Sequence, residues 1–240
     1  MMLSKLLQAT CYEVSDPSEA KALTFMISFE TAQFKKHLIK LYRDTYLSPL
    51  PSTVLGMLGA VMGVRRGHLR EFACEKGLLT GAALMSYEGI VSETMTVVKM
   101  KGWREYIRTP KMSVLLYKPI YKVAVASPDR ELIEEFKDRL LRLDFEFELF
   151  GGNDYNFLSW IGEMREAELV RAKQGIGYCR LTDLDGFEGS GTLHIDEVKE
   201  AKVFRYAFSQ GVTLKLKNDA LAVQDGQHTV FVHESWKFVR

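Results

Sequence analysis

From Ala22 the side chains alternate in polarity with a period of two. Leu23, Phe25, Ile27 and Phe29 fall on one side, and Thr24, Met26, Ser28 and Glu30 on the other. Such alternation requires a strand with one buried face. Helical texture follows: VLGMLGAVMG (54–63) is apolar nearly all round, which predicts a buried helix laid on a sheet, with Ser52 or Thr53 as its N-cap after Pro51. Gly56, Gly59 and Gly63 lower its helix propensity and imply tight packing or a ligand close by. Residues 81–122 read as strand pieces (ALMSY, ETMTVVKM, SVLLYKPIYK) around a basic stretch, an extended hairpin with a charged tip. IYKVAVA (120–126) is a strand feeding a helix opened by Ser127-Pro128-Asp129, with Leu132, Ile133, Phe136, Leu140 and Leu141 as its apolar stripe. Phe145, Phe147 and Leu149 then alternate with Glu146 and Glu148 as a further strand, stopped by Gly151-Gly152.

That order predicts an α+β fold, a ferredoxin-like or RRM-like βαββαβ domain over residues 1–152 with a long β-hairpin inserted near 88–118. Beyond Gly152, a short helical piece (157–169) and short strands with Asn-Asp and Asp-Gly turns predict a small β-rich C-terminal lobe at 153–240.

At 240 residues, 47% hydrophobic and 26% charged, the chain can bury a sizeable core, which excludes a disordered or collagen-like protein. Cys11, Cys74 and Cys179 are few, odd in number and without a CxxC pair. Neither a disulfide framework nor a structural zinc site is expected, and a reducing, cytoplasmic setting is. No apolar run approaches the ~18–20 residues that cross a bilayer, so no membrane association is expected. A phosphate-binding GxxxxGK[ST], HExxH and GxSxG are all missing. GIG (175–177) is too short for a dinucleotide fingerprint, TDLDGFEGSG (182–191) reads as an acidic turn, and the five histidines have no metal-ligand spacing. No metal and no cofactor are expected.

Charge is the informative property. The net +1 hides a segment, Gln33 to Lys122, with 15 Lys/Arg against 6 Asp/Glu, a net of +9, while the remaining residues carry −8. Such asymmetry fits either a polyanionic partner or a solvated basic face. Lysines and arginines neutralise phosphates, a helix start accepts another, and aromatic rings stack on unpaired bases. The candidate RNA contacts are therefore Lys35, Lys36, His37, Lys40, Arg43, Tyr46, the helix start Ser52 and Thr53, Arg65, Arg66, Lys99, Lys101, Trp103, Arg104, Arg108 and Lys111. Metal-independent RNA cleavage remains an alternative, with His37, Lys40 and Tyr42 as its acid–base candidates. A protein-only assembly scaffold is a third.

Phe34-Lys35-Lys36 followed by YLSPLPSTVLGMLG (46–59) resembles the hallmark of the CRISPR-associated RAMP proteins, in the group numbered five. FELFGGNDYNFLSWI (147–161) is similar to that family's aromatic–leucine–glycine–polar–aromatic segment. The prolines, consecutive in the family, are split here as Pro49-Leu50-Pro51. The resemblance implies a subunit of a Cascade-type surveillance complex in antiviral defence, holding the 5′ handle of the CRISPR RNA and contacting the backbone RAMP subunit and the large subunit. It also implies that the inserted hairpin is the family's thumb. One branch of the family cuts precursor RNA, so the resemblance leaves cleavage open.

Overall fold

In the computed structural model, residues 11–14, 16–36, 43–100 and 106–239 are described, apart from the side chains of Met95, Val97 and Lys99. The first part runs β1 (Lys21–Phe29), β2 (Thr31–Ala32), β3 (Phe34–Lys35), β4 (Thr45–Tyr46), α1 (Pro51–Met62), α2 (Leu69–Glu75), β5 (Leu79–Ser86), β6 (Gly89–Met100), β7 (Tyr106–Tyr117), β8 (Ile120–Ser127) and α3 (Arg130–Arg142). All later elements are strands or a single short turn of helix: β9 (Leu158–Gly175), β10 (Tyr178–Arg180), β11 (Leu184–Glu188), β12 (Thr192–Lys199), β13 (Val203–Gln210), β14 (Thr213–Gln224), β15 (Thr229–Phe231) and β16 (His233–Glu234).

Four antiparallel strands in the order β5-β8-β1-β9 form the centre of a larger sheet. α1 and α2 connect β1 to β5, the β6–β7 hairpin lies between β5 and β8, and α3 connects β8 to β9. Leu23, Phe25, Ile27 and Phe29 pack on the helix side with Leu55, Leu58, Ile133 and Phe136. α3 is opened by Asp129, whose carboxylate accepts the Leu132 N–H, whereas Ser127 Oγ bonds Lys76 O and the Asp129 N–H. Leu132, Ile133, Phe136 and Leu140 are its buried stripe, and Leu141 is exposed.

Several expectations are corrected. Residues 145–149 form no strand; Phe147 N–H instead bonds Ala60 O and ties the segment to the end of α1. The strand on the other side of β1 from β8 is β9, which takes up 158–169 of the residues expected as helix (157–169); these gain a ladder along β1, with two register shifts, and β9 continues along β14. The strands expected as a C-terminal lobe lie in the same sheet, since β14 pairs along β9 and β13 touches β5. The Asn218-Asp219 turn is a register shift inside one long strand, β14.

This arrangement also buries β1 on both faces, where one was expected. Thr24 and Ser28 are out of solvent; on this side of the sheet, opposite the helices, Ala22 packs with Leu169, Val223, Val230 and Val232, and Thr24 Oγ1 donates to Asp225 Oδ2. A further correction concerns the cysteines: Cys11 and Cys74, 63 residues apart, form a disulfide. α2 lies against the N-terminal segment, and Tyr12 N–H donates to Cys74 O. Cys179 is free and buried, and that burial pushes its thiol pKa up to about 12. Among the described residues no helix is long and apolar enough to cross a membrane.

Candidate nucleic-acid interface

The geometry centres on Gln33, a fully buried amide between β2 and β3. Its Nε2 donates to Ser113 Oγ at 2.5 Å, Val114 O at 3.0 Å and Arg43 O at 3.3 Å. Its Oε1 accepts from Asn153 Nδ2 at 2.7 Å. One amide thus joins three stretches distant in sequence: the β2–β4 segment, strand β7 of the hairpin, and the Gly151–Asn156 loop. Arg43 is fixed by its backbone, with its N–H on Met112 O and its carbonyl on Val114 N–H.

The loop is flat against the β2–β3 backbone because of its two glycines. A Cβ on Gly151 would stand 2.6 Å from Thr31 O, and one on Gly152 would stand 2.1 Å from Gln33 O. Gly152 also has φ +100°, a backbone region that favours glycine. Asn156, fully buried, closes the loop by donating to Gly151 O and accepting from Thr31 Oγ1.

Around this junction Arg43 and Lys111 both lie within electrostatic reach of Lys35. Partial burial lowers the Lys35 pKa first, the neighbouring charges of Arg43 and Lys111 lower it further, and Asp154 opposes them. Two of these residues come from the 33–46 stretch and one from the hairpin, so distinct parts of the basic sequence converge. Arg108 is exposed farther along β7, its guanidinium 5.5 Å from the Tyr106 ring centre.

Other candidates are placed elsewhere. Lys36 sits between Asp44 and Asp196, its Nζ 2.8 Å from each carboxylate; burial lowers its pKa, but these two acids outweigh that and raise it. Tyr46, expected to face RNA, is fully buried, stacked on Phe208 with its hydroxyl on Glu197 O. Its neighbours in β3 and β13 leave no open ring face, and that expectation is corrected. Ser52 and Thr53 do not cap α1 either. Leu50 holds the cap position without a side-chain bond, Pro51 starts the helix, and Tyr178 Oη and Thr80 Oγ1 bind Pro49 O and Pro51 O. Arg65 and Arg66 are exposed beyond the far end of α1. Lys122, counted with the basic stretch, is buried against Asp225. His37, Lys40, Tyr42, Lys101, Trp103 and Arg104 lie outside the described residues, as does the Lys99 side chain.

Gln33, Asn153 and Tyr155 were not singled out from the sequence as site residues. The available signal was the Gly-Gly-Asn run, which marks a loop that must approach another backbone.

A second concavity, of about 460 Å³, is lined by Arg180, Glu200, Tyr206 and His233. Arg180 and Tyr206 both bind the Glu200 carboxylate, and His233 Nε2 meets Tyr178 O. These groups satisfy one another, which fits a structural role. Among the described residues no cluster of His, Cys, Asp or Glu could hold a metal ion.

Comparison with solved structures finds a CRISPR protein from Archaeoglobus fulgidus at 10% identity and a TM-score of 0.52, covering 88% of this chain and 98% of that one. A chain described as a CRISPR RNA-guided surveillance complex matches at 15% identity and a TM-score of 0.49, over 82% of this chain and 91% of that one. No curated protein sequence matches. The sequence pattern of the CRISPR-associated protein (Cas_Cas5) family spans residues 22–238, nearly the whole chain, and contains both stretches that meet at Gln33. The chain therefore belongs to the CRISPR-associated protein (Cas_Cas5) family.

Proposed function

We propose that this protein is the RNA-binding subunit of a Cascade-type surveillance complex, holding the 5′ handle of the CRISPR RNA. In this reading the four central strands with their crossing helices are a ferredoxin-like core, and the β6–β7 hairpin is the thumb. The observation that carries it is the convergence of Lys35, Arg43 and Lys111 where the two family-like stretches meet. Lysine and arginine side chains gathered about Lys35 from two parts of the chain fit a polyanionic partner. The backbone RAMP subunit and the large subunit are the protein partners, and the exposed apolar side chains of the hairpin supply surface for them.

The test is binding of CRISPR repeat-derived RNA by the full chain across a salt series. Affinity falls steeply with salt, and Lys111→Ala lowers the slope of log K against log salt by about one, whereas Glu131→Gln does not. A flat salt response would sink the reading.

A further inference from the structure

Tyr155 follows Asp154, which lies in electrostatic reach of Lys35; it is 41% exposed and has no part in the core. An exposed ring alone means little. This one is held from behind: Asn153 Nδ2 donates to Tyr155 Oη at 3.2 Å and to Gln33 Oε1 at 2.7 Å. Gln33 in turn grips the hairpin and the carbonyl of Arg43. The residue between Asn153 and Tyr155, Asp154, lies in the electrostatic field of Lys35. The ring is thereby tied to the residues that gather the cations, on a loop whose glycines and buried Asn156 fix its path.

We propose that Tyr155 is a stacking platform for one unpaired nucleobase of the bound RNA, with Asn153 and Gln33 as its positioning residues. This rests on the RNA-binding reading above and adds to it a base subsite. A cation cluster with an aromatic ring on the adjoining loop matches what single strands present, alternating charge and flat apolar face. Since the Asn153 amide donates to Tyr155 Oη, the phenol proton stays free to donate to an acceptor on the RNA. A ring without the hydroxyl keeps the stacking, so the platform depends on the aromatic face more than on the phenol.

The experiment uses the full chain, a labelled repeat-derived RNA, and the same strand with a single abasic site walked along it. Tyr155→Ala weakens binding by about tenfold without changing the salt slope, and Tyr155→Phe retains most of the affinity. One abasic position weakens binding to the native chain by a similar factor and costs nothing further in Tyr155→Ala. Phe187→Ala, an exposed ring on the edge strand β11, serves as control and leaves binding unchanged. Salt-dependent binding with Tyr155→Ala equal to the native chain overturns the subsite while leaving the RNA-binding reading intact. Additive losses from Tyr155→Ala and every abasic position also overturn it. Absence of RNA binding by the native chain overturns both.

Discussion

Lys122 Nζ lies 2.5 Å from Asp225 Oδ2, with both side chains out of solvent. The pair joins the middle of the sheet to the turn after β14. Asp225 is fully used: Thr24 Oγ1 shares Oδ2, and the Gln227 and His228 N–H groups bind Oδ1. Removing one member leaves the other charge buried and alone. Asp225→Asn is expected to cost ~3–5 kcal/mol in chemical denaturation, and the double change Lys122→Met with Asp225→Leu far less. Burial alone would raise the Asp225 pKa, but Lys122, the His228 N–H, the Thr24 hydroxyl and the Gln227 N–H hold it well below the ordinary carboxylate value. A carboxylate depressed by folding stabilises the fold above its unfolded pKa, near ~4, and loses that contribution as pH falls toward the folded value. Denaturation across acidic pH should therefore show a stability loss in the native chain that is smaller in Asp225→Asn.

The Cys11–Cys74 bridge closes 63 residues, which removes freedom from the unfolded chain. Cys11→Ser is expected to lower stability by ~2–4 kcal/mol, and a reducing agent should destabilise the native chain but not the variant. Equal stability with and without reductant in the native chain would show that the bridge contributes nothing. Cys179→Ser tests the specificity of the effect, since that thiol is unpaired.

How much of this was legible depended on the range of the interaction. The helix read at 54–63, the hairpin and the strands of β1 and β8 follow from local sequence pattern, and the structure has them, the helix at Pro51–Met62. The second burial of β1 does not, because it depends on Val223, Asp225 and Val230, about two hundred residues away, which meet Ala22 and Thr24. A long separation likewise conceals the partner of Lys122, Asp225, so that the lysine reads in sequence as one more surface cation. Tyr46 failed for a related reason: proximity to lysines says nothing about which way a ring points, and Phe208 decides that. At the candidate interface, the charges were visible, but the amide that assembles them was a single uncharged Gln33.

Lys35 gives the interface a pH signature. Its ammonium is easier to deprotonate than an ordinary lysine, because of burial and then the charges of Arg43 and Lys111. Bound phosphates favour the protonated form, so RNA binding takes up a proton as pH rises toward the Lys35 pKa. Affinity should begin to fall at a pH below the usual lysine range. Lys35→Arg, which stays charged, should move that fall to higher pH. Identical profiles for the two proteins, measured at constant ionic strength, would exclude Lys35 from the interface.

The hairpin's two faces differ, and under the proposed function that difference predicts which face meets protein and which meets RNA. The pairing of Met100 with Tyr106, Val98 with Arg108 and Thr94 with Met112 puts all six on one face, together with Ile90. Ile90, Val98, Met100, Tyr106 and Met112 are exposed there, and among the described residues Arg108 is that face's only charge. The opposite face includes Glu93 and Lys111. A two-stranded ribbon with so much open apolar surface is marginal in water and gains from a covering protein surface. Val98→Glu with Met112→Glu should therefore reduce co-purification with the other subunits of the complex. The same change should leave the salt slope of RNA binding by the isolated chain as it was, because Lys111 points the other way. Loss of RNA binding with full retention of the partners would reverse the assignment of the two faces.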